Sequence, residues 1–422
     1  GAALVVWLLF VPLVVAAGAL GVWLAPVILD VAPDQELPLR LAAAVLVVDA
    51  LAVTVLTLPR SALQGENLGY TRMAISPLMV AVGGALMVAA VKLDTGLPGV
   101  ATATVLTTTL TGWVFWRITR HRIHWFGAAR PGRQLVRWFL GLSLWFLGWK
   151  FVLELILASD ILVLAFFAPM TLVAAFALTK FVTDSLVQVL SLLVQATIPG
   201  IGGQLGSGNL ARAAALRAEV MTLVWVVGTA AGATAIAWNG SFLGLWVGDD
   251  LFAGRGVTLL LAVLAVQAAM IRTDTFLIDV ALEPKVKVIA GSASAVLSIV
   301  LAAVLVGPLD RGITGLCIGL LVGRSLLGVA APLAVRRILG VGGRTPVLSL
   351  LRPLVVGLGL LALGYVVAGE IRADSWIALV AAVGVTLALN LAVAIVLGLG
   401  GPQRRRLVKR VVAMAGQLRR TP

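Results

Sequence analysis

The chain has 422 residues, enough for two or three soluble domains, but 61% of them are apolar and only 12% are charged, against about 45–50% and about 25% in soluble proteins. A mean hydropathy of +1.09 excludes a water-soluble globular protein. The net charge of +14 would suit a nucleic-acid binder, and the positions of the charges decide against that.

A helix needs about 20 mostly apolar residues to cross a bilayer core. Twelve segments meet that requirement, at 2–29, 39–59, 73–93, 97–116, 138–159, 165–198, 220–246, 256–282, 288–307, 312–335, 353–369 and 375–399. Span two carries Asp49 at its middle, and spans five and six meet at Asp160 with almost no loop. Pro12, Pro26, Gly83-Gly84 and Pro332 fall inside spans, where membrane helices tolerate them. No segment shows the alternation of an outer-membrane barrel strand. The expected fold is an all-α polytopic membrane protein with about twelve transmembrane helices.

The sole cysteine, Cys317, excludes an internal disulfide and a thiolate metal cage, and its apolar surroundings read as those of an inert buried thiol. The chain opens Gly1-Ala2-Ala3 without an initiator Met or a basic n-region. It reads as a chain whose start is missing, not as a signal peptide.

Loop charges alternate in sign along the chain. The connections after even-numbered spans, with the C-terminal tail, hold 23 of the 32 basic residues and only three acids, Glu66, Glu219 and Glu283. The densest are Arg117–Arg137 and Arg404–Arg420. The odd connections hold five basic residues and ten acids, Asp160 among them. By the positive-inside rule the even connections and the C-terminus are cytoplasmic. The basic residues are therefore a topology signal spread over short loops, and not a nucleic-acid surface. Within the tail, Leu407, Val408, Val411, Val412, Ala415 and Leu418 recur at helical spacing among the basic residues. That pattern fits an amphipathic helix on the anionic inner leaflet, or equally a disordered basic tail.

Sliding the chain on itself gives one suggestive offset, of 219 residues, which lays Ala62-Leu63-Gln64-Gly65 over Ala281-Leu282-Glu283-Pro284 and brings Asp94 near Asp310. Both copies enter the membrane in the same direction, so the repeat is parallel, as in two-lobed transporters. Spans five and six then lack partners. The reading that follows is of two absent N-terminal spans and about fourteen in the full protein.

Several residues carry a resemblance. A polar-punctuated span leads to the turn Ala168-Pro169-Met170 and then Phe176-Ala177-Leu178-Thr179. A long span ends Gln195-Ala196-Thr197-Ile198-Pro199, followed by Leu205-Gly206-Ser207-Gly208-Asn209. With Leu245-Trp246-Val247-Gly248 and the Ala62–Gly65 turn, this resembles bacterial polysaccharide transporters. These are the O-antigen or lipid-linked oligosaccharide flippases of the multidrug/oligosaccharidyl-lipid/polysaccharide (MOP) exporter superfamily. The likeness covers nearly the whole chain on soft motifs. It implies a two-lobe, V-shaped, parallel-repeat bundle of twelve core helices plus two C-terminal ones, working by alternating access in the bacterial inner membrane. Its parts would be a remaining N-lobe at 1–116, a basic cytoplasmic inter-lobe loop at 117–137, a C-lobe at 138–335, two additional helices at 336–399 and a basic tail at 400–422. The partners implied are a lipid-linked (undecaprenyl-type) glycan, glycan polymerases or glycosyltransferases, and anionic lipid at the tail.

Nine ionisable residues fall inside spans: Asp49, Lys150, Glu154, Lys180, Asp184, Arg272, Asp274, Asp279 and Arg324. Each would cost about 2.5–3.5 kcal/mol at a helix centre facing lipid, so they are expected to face a wet cavity or one another. Lys150 and Glu154 share a helix face at spacing i,i+4, as do Lys180 and Asp184. Lys150, Lys180, Arg272 and Arg324 are the candidate donors to a substrate phosphate or pyrophosphate, and the acids would pair with them or exchange protons. The alternative is that the pairs only neutralise themselves and pin helix packing. Trp145 and Trp149 lie near Lys150 and suit core packing better than sugar stacking.

Other signals are weak. His121 and His124 have no carboxylate or thiol nearby to complete a metal site. Gly200-Ile201-Gly202-Gly203 follows no strand and precedes no Gly-Lys-Ser/Thr, so nucleotide binding is not expected. No cofactor is expected. A membrane-embedded glycosyltransferase or polymerase would need large external loops, and the external loops here are short. The remaining alternatives are a peptidoglycan-precursor flippase and a cation-coupled multidrug antiporter of the same superfamily.

Overall fold

The computed structural model describes residues 1–28, 31–66, 68, 71–341, 347–401 and 403–405. Asp30, Arg344 and the tail beyond Arg405, with its predicted amphipathic helix, lie outside the described residues. All regular structure described is helical: α1 Ala2–Ile28, α2 Glu36–Leu56, α3 Leu58–Gly65, α4 Thr71–Lys92, α5 Gly96–Arg122, α6 Arg133–Phe167, α7 Met170–Gly206, α8 Leu210–Trp246, α9 Arg255–Val280, α10 Pro284–Val306, α11 Gly312–Ile338, α12 Val347–Glu370 and α13 Trp376–Val393, the last continuing as a π-helical turn over Ala394–Gly398. A short 3-10 turn, Asp249–Leu251, precedes α9. Each predicted span falls mostly on one long helix, although the sixth, expected from 165, starts in the last turn of α6 and the second, expected to 59, runs into α3; among the described residues ten candidate segments are long and apolar enough to cross a membrane. The protein is thus a multi-pass, all-α membrane protein.

The two long helices outside those ten are α5 and α6, and each handles its polarity locally. In α5, Thr102, Thr104, Thr107 and Thr111 donate their hydroxyls to the carbonyls of Pro98, Val100, Ala103 and Thr107, four residues back, at 2.7–3.1 Å. A hydroxyl satisfied within its own helix no longer needs water. Helix α6 differs from expectation at Asp160. The sequence places that residue in a loop between two spans, but α6 runs unbroken to Phe167 and contains it. No proline interrupts the helix until Pro169.

The chain divides within α6 into two compact units, Gly1–Leu144 and Trp145–Pro422. In the first unit α5 is the central element, flanked by α2, α3 and α4, while α1 packs on α2. Leu63 of α3 packs with Phe115 and Ile123 at the end of α5. There Thr119 Oγ1 donates to the carbonyl of Pro59 at 3.1 Å, and Trp125 Nε1 donates to Glu66 Oε1 at 2.8 Å.

In the second unit α8 is the most enclosed helix, packing on α7, α9, α12 and α13. Buried Asn390 of α13 donates to Thr234 Oγ1 of α8 at 3.1 Å, and Trp238 Nε1 donates to Thr386 Oγ1 at 3.0 Å. These bonds fix the last helices to the unit. Helices α10 and α11 form a tight hairpin whose contact is made by small residues. A Cβ on Gly319 would fall 2.5 Å from the Ala302 backbone nitrogen, and one on Gly323 would fall 2.4 Å from the Ser298 backbone. Glycines four apart on α11 let the backbones approach as apolar side chains could not, and Ser294 Oγ donates across to the Gly323 carbonyl at 2.9 Å.

Two interhelical turns share a backbone conformation, 216 residues apart and so not at the 219-residue offset read from the sequence. The turn between α4 and α5 has Asp94 at φ 54° and Gly96 at φ 62°, and the turn between α10 and α11 has Asp310 at φ 47° and Gly312 at φ 53°. Both turns place an aspartate and, two residues later, a glycine in the left-handed region, a conformation that aspartate tolerates better than most residues.

Candidate functional site

Within the second unit, a cavity of about 310 Å³ lies among α6, α7, α9, α10 and α11. It borders both main cores of the unit, one through Leu261, Leu264 and Leu320 and the other through Leu327, Ile271 and Trp149. Helix α6 reaches its neighbours here through the Asp160–Lys180 ion pair to α7 and the Arg324–Ile156 hydrogen bond from α11.

Five ionisable side chains line the cavity: Asp160 of α6, Lys180 and Asp184 of α7, Arg272 of α9 and Arg324 of α11. Counting along each helix at 1.5 Å per residue, Lys180 lies about 15 Å into α7, Arg324 about 18 Å into α11 and Arg272 about 25 Å into α9. All three are far from the helix ends.

The pairing is uneven. Lys180 Nζ lies 2.5 Å from Asp160 Oδ2 and 3.4 Å from Asp184 Oδ2. Asp160 is 1% exposed, so its charge depends on that ammonium: a buried carboxylate without a partner costs several kcal/mol. The Asp184 side chain, in contrast, is 57% exposed. Arg272 Nη1 donates to Ser191 Oγ at 2.8 Å. Arg324 Nη2 donates to the carbonyl of Ile156 in α6 at 2.9 Å, while its Nε is buried without an acceptor among the described residues. Neither guanidinium forms an ion pair among the described residues. The cavity therefore holds three cations and two carboxylates, with both arginines held only by neutral acceptors.

The other expected site residues lie elsewhere. Lys150 and Glu154 pair with each other on an exposed face of α6, outside the cavity lining. Asp274 is fully buried and receives both Arg217 Nε, at 2.6 Å, and Arg217 Nη2, at 2.8 Å. Asp279 pairs with Lys287, whose ammonium is buried 4.5 Å from the Trp149 ring centroid and 5.6 Å from that of Phe146. Asp49 belongs to the first unit and keeps one carboxylate oxygen buried without a partner among the described residues. Helix α9 is thus tied to three neighbours: Arg272 to α7, Asp274 to α8 and Asp279 to α10. Trp149 lines the cavity and also covers Lys287, while Trp145 lies outside the lining.

Three residues of these networks lie where the sequence does not place them. Asp160 lies inside α6 and not in a loop, and Arg217 and Lys287, expected as cytoplasmic loop charges, lie inside α8 and α10. The unbroken apolar run on both sides of Asp160 was the available signal for the first. Arg217 and Lys287 sit within a few residues of span boundaries, and nothing local separates them from loop residues. Among the described residues, no three His, Cys, Asp or Glu side chains gather as a metal site requires.

No protein-family model matches the sequence, and no curated protein matches it. Solved structures do. A MATE transporter in complex with MaD5 aligns with a TM-score of 0.66 at 16% identity, over 80% of this chain and 77% of that one. An outward-facing multidrug resistance MATE family transporter of the MOP superfamily aligns with a TM-score of 0.58 at 18% identity, over 79% and 78%. The Vibrio cholerae MATE transporter VcmN in its bent form aligns with a TM-score of 0.57 at 16% identity, over 80% and 78%. At such identities the likeness establishes the fold, which is that of the MATE transporters.

Proposed function

We propose that this protein is a membrane exporter that moves an anionic, lipid-linked oligosaccharide across the bacterial inner membrane by alternating access, with its C-terminus in the cytoplasm. The observation that carries this reading is the state of Arg272 and Arg324. Two permanently charged guanidiniums line one cavity without a carboxylate bound to either. In a low-dielectric site that arrangement favours an anion, and guanidinium forks match phosphate oxygens. A lipid carrier joined to its glycan through a phosphate or pyrophosphate supplies that anion.

The second reading, a cation-coupled multidrug antiporter, is favoured by the solved structures that share the fold. An organic cation would have to enter a cavity whose two carboxylates are outnumbered by three cations. The charge balance therefore supports the first reading over the second.

The test is reconstitution. Proteoliposomes carrying the protein are loaded with a fluorescent lipid diphosphate glycan, and its movement between leaflets is followed by quenching at the outer face. The lipid should move faster than in protein-free vesicles, and Arg272→Ala should slow it. Drug efflux in cells without any lipid movement in vesicles would transfer the assignment to the antiporter.

A further inference from the structure

Resting on the reading of the cavity as an anion site, we infer that Asp184 is a built-in competitor for the substrate, a carboxylate that rests on Lys180 beside the two unpaired arginines and that an entering anion pushes aside.

Asp160 and Asp184 stand in different relations to the same lysine. Asp160, 2.5 Å from Lys180 Nζ, has a buried side chain only 2% exposed. It cannot leave without abandoning a charge in the protein interior. Asp184 lies 3.4 Å from the same nitrogen with its side chain 57% exposed. The ammonium is already neutralised by Asp160, so Asp184 is the second and weaker partner. It lines the same cavity as Arg272 and Arg324, yet it pairs with neither. Of the five charges around the cavity, it is the one free to turn away.

Two consequences follow. With Asp184 in place, an entering phosphate meets the two unpaired arginines and a carboxylate that repels it, so binding is weaker than the arginines alone would allow. A transporter gains from that, because a substrate held too firmly is not released on the far side. The return of Asp184 to Lys180 after release restores the empty state. Asp184 is thus a positioning residue that sets affinity, and it makes no contact of its own with the substrate.

The experiment measures binding of two probes to the purified full chain in nanodiscs, inorganic pyrophosphate and farnesyl pyrophosphate, in wild type, Asp184→Asn and Asp184→Glu. Removing one like charge at this range in a partly buried site should tighten pyrophosphate binding about tenfold or more. Asp184→Glu, which keeps the charge, should bind as wild type does. Lipid movement by Asp184→Asn should be slower at saturating substrate because release is slower. Similar tightening for both probes assigns the effect to the diphosphate, and tightening for farnesyl pyrophosphate alone assigns it to the lipid-anchored form. If wild type binds neither probe, the anion-site reading itself fails. If wild type binds them but Asp184→Asn binds equally or more weakly, the competitor role is overturned and the anion site stands. Asp184→Ser gives the same comparison should the asparagine variant not yield folded protein.

Discussion

Asp160 and Lys180, on successive helices and 20 residues apart in sequence, meet at 2.5 Å beside the cavity of the second unit. That ion pair takes the one lysine of the cavity out of contention and leaves the two arginines as its available cations. Removing only one partner of such a pair strands a charge in the interior, with a typical cost of about 3–5 kcal/mol. Asp160→Asn and Lys180→Met should each lower the melting temperature of the protein in detergent. The double substitution should recover most of the loss. Equal loss in single and double variants would mean that packing, and not charge pairing, sets the effect.

The arginines should matter for binding and not for folding. A charge-assisted hydrogen bond contributes about 1.5–3 kcal/mol, so Arg272→Ala or Arg324→Ala should weaken binding of a lipid diphosphate by about 10- to 100-fold. Lys150→Ala removes one member of an exposed i,i+4 pair, an interaction that is typically worth under about 1 kcal/mol. Its affinity should stay within about threefold of wild type. Titration of the three purified variants with the same probe checks the ranking.

Close helix approach should be as sensitive as the charges. Gly323→Val places a branched side chain where even a Cβ would lie 2.4 Å from the Ser298 backbone, so the α10–α11 hairpin must separate. Folded yield should collapse. Gly359→Ala in α12 meets no heavy atom within 4 Å and should leave yield unchanged or slightly raised, because alanine has the higher helix propensity. Size-exclusion profiles of the two variants make the comparison.

Much of this architecture is legible in the sequence because the membrane imposes it locally. A span needs only length and apolar composition, and the Lys180–Asp184 pair needs only helical spacing. The partners that fix the site are not local. Arg217 reaches Asp274 across 57 residues of sequence, and Lys287 turns from the start of α10 into α9 and onto Trp149. Periodicity cannot report which neighbouring helix a side chain faces, so these residues read as loop charges. The surplus of acids over bases among the nine expected site residues also dissolves only in three dimensions, where Glu154, Asp274 and Asp279 each have a private cation.

Orientation can be tested with little background. Cys317 is the sole cysteine and is fully buried, so a new surface cysteine should be the only site of labelling. Ser207→Cys, in the connection between α7 and α8, should react with an impermeant maleimide only from the cytoplasmic side. Asp310→Cys, between α10 and α11, should react only from outside. The reverse pattern would invert the assigned topology.

The central claim is that the cavity of the second unit is built for an anion carried on a lipid. The most direct measurement is transbilayer movement of a fluorescent lipid diphosphate glycan in proteoliposomes, compared between wild type and the Arg272→Ala/Arg324→Ala double variant. Movement should be rapid with wild type and near background with the folded double variant. Equal rates in the two, with movement clearly above empty vesicles, would contradict that claim.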